Sequence, residues 1–527
     1  MIERALQRLC GALARGYRAL PSWTGILVVC VGAAALRLSN IDAGLPYRVG
    51  PDEPVIADRA ISIMRAGNFN PHFYDYPGLY IYAQVLIGSV RFTTGAMNTS
   101  WRSLDQFHPE HLFLWSRLVN ALLGSLTVLV LYRAALRWGA AEAIVAAALL
   151  AVWPNHVRES HFALTDIPLT FLTTLVLLLS LRAYETGRAV WFLAAGSAAG
   201  FAAATKYSGA VALVMPLVAA VGVARGRRAG VAGAAVLGSG VAFAIGAPYT
   251  FLDLPGFLNG FGDLATAYRP RPLTDGARIY LNHLNQAAGW SLAHARWTRW
   301  SGLFAAIAGL VCAGVRAVRR REPVQYGLVV AFPLVYYYMI ATKNLIFARY
   351  MLPIVPFLCL WTALIVVDLV GWLAGRKWPL SARLPAGAAV VAFIMLAPAA
   401  RGIAWPLEYG LRTTQDVAYE QIRRTVPVRS VVAVERDVLR LPDSLYRGIN
   451  LAHLTDRSPE EYVSAGVTFL VASSDAFGPI YDHPDRDPAR YRLYRRLLDD
   501  SADCLPAITP TPTVTGPTIR ICRLRPS

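Results

Sequence analysis

Charge is what this sequence lacks most. Only 16% of its 527 residues are Asp, Glu, Lys or Arg, whereas 55% are hydrophobic and mean hydropathy is +0.41. Soluble domains carry about 25% charged residues, so composition excludes a soluble protein and implies a polytopic membrane protein. The charges present are unbalanced, with 51 Lys and Arg against 33 Asp and Glu and a formal net charge of +18. The arginines sit in short connectors between apolar runs and form no continuous basic face, which excludes a nucleic-acid partner. They act as topology signals. Cysteine is also sparse, at six. Cys10, Cys30, Cys312 and Cys359 lie in or beside apolar segments as small hydrophobes. Cys504 and Cys522 stand in a polar tail, where they either pair in an oxidising compartment or stay free. No internal repeat is visible, which weakens a transporter built from paired halves, and no glycine-rich phosphate loop is present.

What is there is a series of apolar runs. A membrane span needs about 20 apolar residues. Runs of that kind occupy 22–38, 112–136, 140–156, 167–184, 190–205, 208–224, 229–246, 299–316, 324–341, 349–373 and 385–401. The stretch 78–95 is ambiguous, because it holds Gln84 and Arg91. If it crossed, later basic connectors such as Arg225/Arg227/Arg228 and Arg316/Arg319/Arg320/Arg321 would move to the side opposite Arg4, Arg8, Arg15 and Arg18. That would violate the positive-inside rule repeatedly, so 78–95 reads as a peripheral or re-entrant helix.

The expected fold class is a polytopic α-helical membrane protein of about eleven spans. A cytoplasmic N-terminus (1–21) leads into a transmembrane domain (22–404), and the whole resides in a plasma or inner membrane. The first span is retained and not a cleaved signal. Three segments then face outside: 39–111, carrying interfacial helices, the long loop 247–298, and the tail 405–527. In the tail, "TTQDVAYEQIRRTV", "SPEEYVSAG" and "RYRLYRRLLDD" read as helices, and "SVVAVE", "VTFLVASS" and "TIRICRL" as strands. A small extracytoplasmic α/β domain is expected there.

Chemistry is sought among the scarce charges. "RVGPDEPVIADRAISIMRAG" places Asp52 and Glu53 before an amphipathic helix, where Asp52 is both an N-cap and a candidate general base. "WPNHVRESHFALTDIPLTFLTT" places Asp166 at the entrance of a span, after His156, Arg158, Glu159 and His161. Ionisable groups at a membrane boundary are costly and tend to be functional, although Thr165 or Asp166 also suits a helix cap. The histidine spacing fits no tight zinc pattern, so no metal ligand is assigned. "AATKYSGA" puts Lys206 and Tyr207 in an outer hairpin, and "ATKNLIFARYMLPIVPF" puts Lys343 and Arg349 around another outer turn. Cations on the side that topology depletes point to an anionic ligand such as phosphate, or to snorkelling toward lipid headgroups.

These residues together resemble a known family, the polyprenyl-phosphate-dependent glycosyltransferases of the C-type (GT-C) fold, which includes protein O-mannosyltransferases and lipid A aminoarabinose transferases. The resemblance covers about residues 20–400 and rests on "PDE", "YDYPGLYIY", "LTDIPLTF", "TKYSG" and "FARYMLPIVPF" in that order. It implies Asp52 as catalytic base with Glu53 beside it, and Asp166 positioning acceptor or carrier. It also implies that Lys206 and Arg349 bind the carrier phosphate, with Tyr76, Tyr207, Lys343 and His161 as further substrate-binding candidates. One departure is plain: aminoarabinose transferases have a lysine where this chain has Tyr76, before Pro77. Tyr74, Asp75 and Tyr76 offer hydrogen-bonding groups to a sugar in its place.

The activity implied is transfer of a sugar from a polyprenyl phosphate to an acceptor hydroxyl on a lipid, glycan or protein. No cofactor is required by the sequence, although two carboxylates and a phosphate leave room for a divalent cation, magnesium or manganese. The competing reading is a transporter or lipid flippase whose path is lined by Asp52, Asp166 and the outer cations. A non-catalytic scaffold is the third. The leading reading expects Asp52, Asp166, Lys206 and Arg349 to converge at the outer membrane boundary.

Overall fold

The computed structural model describes residues 23–287, 301–319, 322–376, 380–435 and 438–525. The basic N-terminus with Arg4, Arg8, Arg15, Arg18 and Cys10 lies outside the described residues, as do Arg320 and Arg321. The chain divides into two compact units. The first comprises Met1–Ser39, Asn68–Ala83 and Arg117–Pro406, and the second Asn40–Gly67, Gln84–Ser116 and Leu407–Ser527.

The first unit is helical, as its unbroken apolar runs dictate. Backbone polar groups cannot be left unpaired in hydrocarbon, so each run folds into a helix that satisfies its own. Six described helical segments are long and apolar enough to cross a membrane: Phe113–Ala135, Asp166–Thr186, Arg225–Gly246, Pro323–Ala341, Ala348–Ala374 and Pro385–Tyr409. Shorter apolar helices occupy Thr24–Leu38, Ala140–Ala151, Ala189–Thr205 and Tyr207–Val221. Each expected apolar run falls on one of these or on the helix Ser301–Arg319. The ambiguous stretch is the 20-residue helix Gly78–Met97 and is not among the six. The core of the first unit packs Phe332, Phe357, Leu360, Leu364, Leu177 and Val176, all of them buried.

The second unit carries a five-stranded sheet. Its strands are β1 (Val431–Glu435), β2 (Arg447–Leu451), β3 (Val467–Ser473), β4 (Ala502–Cys504) and β5 (Ile519–Leu524), in the order β2-β1-β3-β5-β4. β1 runs parallel to β2 and β3, whereas β5 is antiparallel to β3 and β4. Helices Thr414–Thr425 and Pro459–Ser464 each begin with a complete capping box, Thr413 with Asp416 and Ser458 with Glu461. A capping box satisfies two backbone donors at once, which explains why these short polar helices are well defined. Cys504 and Cys522 form a disulfide between β4 and β5.

The tail packs against earlier segments of the chain. Tyr47 stacks on Tyr419 at 4.2 Å and donates to Asp416 Oδ1 at 2.6 Å, and Arg440 donates to Asp58 Oδ1 at 3.1 Å. The backbone N–H of Ser444 reaches Glu110 Oε1 at 3.1 Å. Residues 40–67 and 84–116 therefore share one compact unit with the tail.

Candidate active site

Three segments of the first unit end at one place. Helix Asp166–Thr186 opens on Asp166, in a first turn where a carboxylate faces the positive end of the helix dipole. Thr165 occupies the N-cap position but makes no side-chain capping bond, so capping does not account for these residues. Helix Ala189–Thr205 stops at Lys206, whose extended backbone (φ −153°, ψ 131°) breaks the helix before a 3-10 segment, Tyr207–Leu213. The reversal is tight: Gly209 N–H donates to the Lys206 carbonyl at 2.7 Å, and a Cβ at Gly209 would collide with the carbonyl of Ala202. Arg349 lies in the 3-10 segment Ala348–Ile354, which Asn155 tethers by donating to the Ala348 carbonyl at 3.3 Å.

The side chains meet. Lys206 Nζ donates to Asp166 Oδ1 at 2.7 Å, and Arg349 Nε lies 3.6 Å from Asp166 Oδ2. Asp166 is 2% exposed. Lys206 Nζ also sits 4.2 Å above the Tyr350 ring, and Tyr350 and Tyr268 share a hydroxyl hydrogen bond of 2.6 Å. Lys206 and Arg349 thus both face Asp166 in a largely apolar surrounding, the setting in which charged groups interact most strongly. Glu159, 3% exposed and 3.3 Å from Arg158 Nε, is a further carboxylate of this neighbourhood. It lies in the connector between helices 140–151 and 166–186. Burial pushes its carboxyl up to about 7, with Asp166's charge adding to the effect and Arg158, Arg349 and Lys206 opposing it.

A cavity of about 410 Å³ adjoins this cluster. Lys206, Lys343, Asp75, Tyr76, Tyr207 and Ser208 supply its polar lining, and Tyr268, Tyr336, Tyr350, Phe261, Leu264 and Met339 most of the rest. Tyr207 donates to the Tyr74 carbonyl at 3.1 Å, fixing the segment that carries Asp75 and Tyr76. The same segment is held to the helix Leu254–Ala267 by Asp253, which accepts from Asn70 and Tyr74, each at 2.8 Å. Those hydrogen bonds, Asn70's first, keep the Asp253 carboxyl below its ordinary range.

Of the residues singled out from sequence, Asp166, Lys206 and Arg349 are brought together, and Tyr76, Tyr207 and Lys343 line the adjoining cavity. His161 is placed elsewhere: fully buried, with its ring nitrogens 2.9 Å from the Val157 carbonyl and 3.0 Å from that of Ser39. Asp52 and Glu53 belong to the second unit. Asp52 occupies the N-cap position of helix Glu53–Ala66 but makes no capping bond, because its backbone is helical (φ −102°, ψ −6°) and not extended. Glu53 is 1% exposed and accepts the Gly50 N–H at 2.5 Å, so it closes the turn. Among the described residues no group of three or more His, Cys, Asp or Glu side chains is arranged to hold a metal ion. The aromatic lining, Tyr268, Tyr336 and Tyr350, was not singled out from sequence.

Comparison with solved structures settles the fold. ArnT from Cupriavidus metallidurans in the apo state superimposes with a TM-score of 0.56 at 15% identity, over 96% of this chain and all (100%) of that one. The same protein bound to undecaprenyl phosphate gives 0.54 at 16% identity, over 94% and 98% of the two chains. The Archaeoglobus fulgidus oligosaccharyltransferase tethered with an acceptor peptide gives 0.55 at 12% identity, over 94% and 74%. This is a GT-C fold. Within it, residues 80–226 match the family described as "Dolichyl-phosphate-mannose-protein mannosyltransferase". That GT-C segment contains Asp166 and Lys206, and it agrees with the resemblance drawn from sequence. No curated protein sequence is matched.

Proposed function

We propose that this GT-C protein is an integral membrane glycosyltransferase that moves a sugar from a polyprenyl phosphate to an acceptor hydroxyl at the non-cytoplasmic face. The observation that carries the reading is Asp166 held between Lys206 and Arg349 beside an aromatic-lined cavity. A lipid phosphate matches the two cations, a sugar matches the tyrosine and carboxylate lining, and an isoprenoid chain matches the apolar wall. The matched family and the undecaprenyl phosphate complex of ArnT support the same donor class.

In the proposed reaction the acceptor oxygen attacks the anomeric carbon, the new C–O bond forms, and the C–O bond to phosphate breaks. The electron pair leaves with the polyprenyl phosphate, and the acceptor proton passes to Asp52 as general base. One displacement inverts the anomeric centre. Proton removal contributes about 10²–10⁴-fold. Lys206 and Arg349 stabilise the charge growing on the departing phosphate, where one such donor is worth roughly 10²–10³-fold.

The test is reconstitution of the whole chain with polyprenyl-phosphate sugars and an acceptor-containing membrane extract. A new glycosidic bond with release of polyprenyl phosphate, lost in Lys206→Gln and Arg349→Gln, supports the reading. Movement of substrate across proteoliposomes with no new bond overturns it in favour of transport.

A further inference from the structure

A second charged cluster lies in the first unit, on the helices Ser301–Arg319 and Val355–Ala374. Arg316, 9% exposed, is held between Asp368 and Glu142, the latter at 3.5 Å. The Asp368 side chain remains 44% exposed. Arg319, one turn on, is exposed and makes no ion pair with a described residue. Asp166 lies at the start of its helix, and Arg137 pairs with Glu185 near that helix's end and with Glu322 just before the helix Pro323–Ala341. Arg316 and Arg319 close the helix immediately before Glu322, so they belong with the arginine-rich connectors at the end away from Asp166.

Two cavities meet here. One, of about 510 Å³, is lined by Arg316, Arg319, Asp368, Cys312, Val311 and Val315. The other, of about 590 Å³, has a wholly apolar lining that includes Phe304, Leu369, Val390 and Phe393. Ala308 and Ile365 line both. Gly309 sits directly against the Trp361 carbonyl, where a Cβ would collide, so the two helices approach closely there, and the groove runs along their exposed side. A polar mouth joined to an apolar trough reproduces the headgroup and acyl chain of one phospholipid. Arg316 is already balanced by Asp368 and Glu142, which leaves the exposed Arg319 as the cation at the mouth that a phosphodiester can meet.

We infer that this groove binds one anionic phospholipid of the leaflet on the arginine-rich side, with its phosphate on Arg319 and an acyl chain along Ala308, Ile365 and Phe393. Polybasic positions of that kind draw anionic lipid to a membrane face. The site is independent of the proposed donor site.

The test uses the full-length protein in detergent, titrated with phosphatidylglycerol or phosphatidylcholine and read by native mass spectrometry. One phosphatidylglycerol per chain should be retained in preference to phosphatidylcholine. Arg319→Gln should weaken it roughly ten-fold, the usual worth of a charge-assisted contact. Ala308→Trp, at an exposed position, should block the trough and abolish retention. Lys206→Gln should leave it unchanged, which separates this site from the donor site. Equal retention of the two lipids, or undiminished phosphatidylglycerol in both Arg319→Gln and Ala308→Trp, overturns the proposal.

Discussion

Lys206 and Asp166, forty residues apart in the chain, form a 2.7 Å ion pair that closes one wall of a cavity. The pair is nearly dry, with side-chain exposures of 14% and 3%. Removing one member of such a pair leaves an uncompensated charge and costs about 3–5 kcal/mol. Asp166→Ala should therefore lower thermal stability strongly, because Lys206 and Arg349 each lose a carboxylate partner. Lys206→Met should cost less, since Arg349 still faces Asp166 at 3.6 Å. Circular-dichroism or intrinsic-fluorescence melts of the purified variants check the order. An Asp166→Ala protein as stable as wild type would show that the cluster is not coupled.

Asp52 and Glu53 should separate cleanly under mutation. Glu53 accepts a backbone N–H in a buried turn, whereas Asp52 makes no capping bond. Glu53→Ala leaves the Gly50 donor unsatisfied and should cost about 1–3 kcal/mol in stability. Asp52→Asn should leave melting nearly unchanged while transfer falls about 10²–10⁴-fold, the range for a lost general base. Parallel melts and transfer assays decide it. Retention of most activity in Asp52→Asn would remove Asp52 from the chemistry.

The legible and illegible parts of the site differ in contrast. Asp166, Lys206 and Arg349 stand at the ends of apolar runs, where a charge is costly enough to be conspicuous. Tyr268, Tyr336 and Tyr350 give no such signal, being three of 24 tyrosines scattered through a sequence rich in aromatics. In the tail, β1, β3 and β5 carry buried apolar patterns and were readable, as were the capped helices. β2 is largely exposed and β4 has three residues, so neither has a hydrophobic period. The union of the tail with 40–67 and 84–116 depends on contacts such as Tyr47 with Tyr419, which no local pattern encodes.

The disulfide gives a stability prediction for the second unit. Cys504 and Cys522 close a loop of sequence separation 18. Chain-entropy arguments put a loop of that length near 3 kcal/mol. Reduction, or Cys504→Ser with Cys522→Ser, should lower the melting temperature of the second unit without altering the Asp166 cluster. Differential scanning calorimetry with and without reductant measures it. A melt insensitive to reductant would show that the sheet is held by packing alone.

Glu159 sets a pH dependence whose sign follows from its burial. Its folded carboxyl titrates near 7, against 4.5 for the unsupported group. Between those values the folded state holds a proton that the unfolded state has lost. Folding stability therefore falls as pH rises through this window and is level above it. The full difference is about 3 kcal/mol. Glu159→Gln cannot ionise, so it should lack this slope and be more stable than wild type at pH 8, with little difference at pH 5. The same ionisation adds a negative charge near Arg349 and Lys206, so wild-type affinity for polyprenyl phosphate should weaken above pH 7 and that of Glu159→Gln should not. Urea melts and lipid-phosphate titrations across pH 5–8 check both. Parallel wild-type and Glu159→Gln profiles would mean that Glu159 stays charged throughout, paired with Arg158 at 3.3 Å.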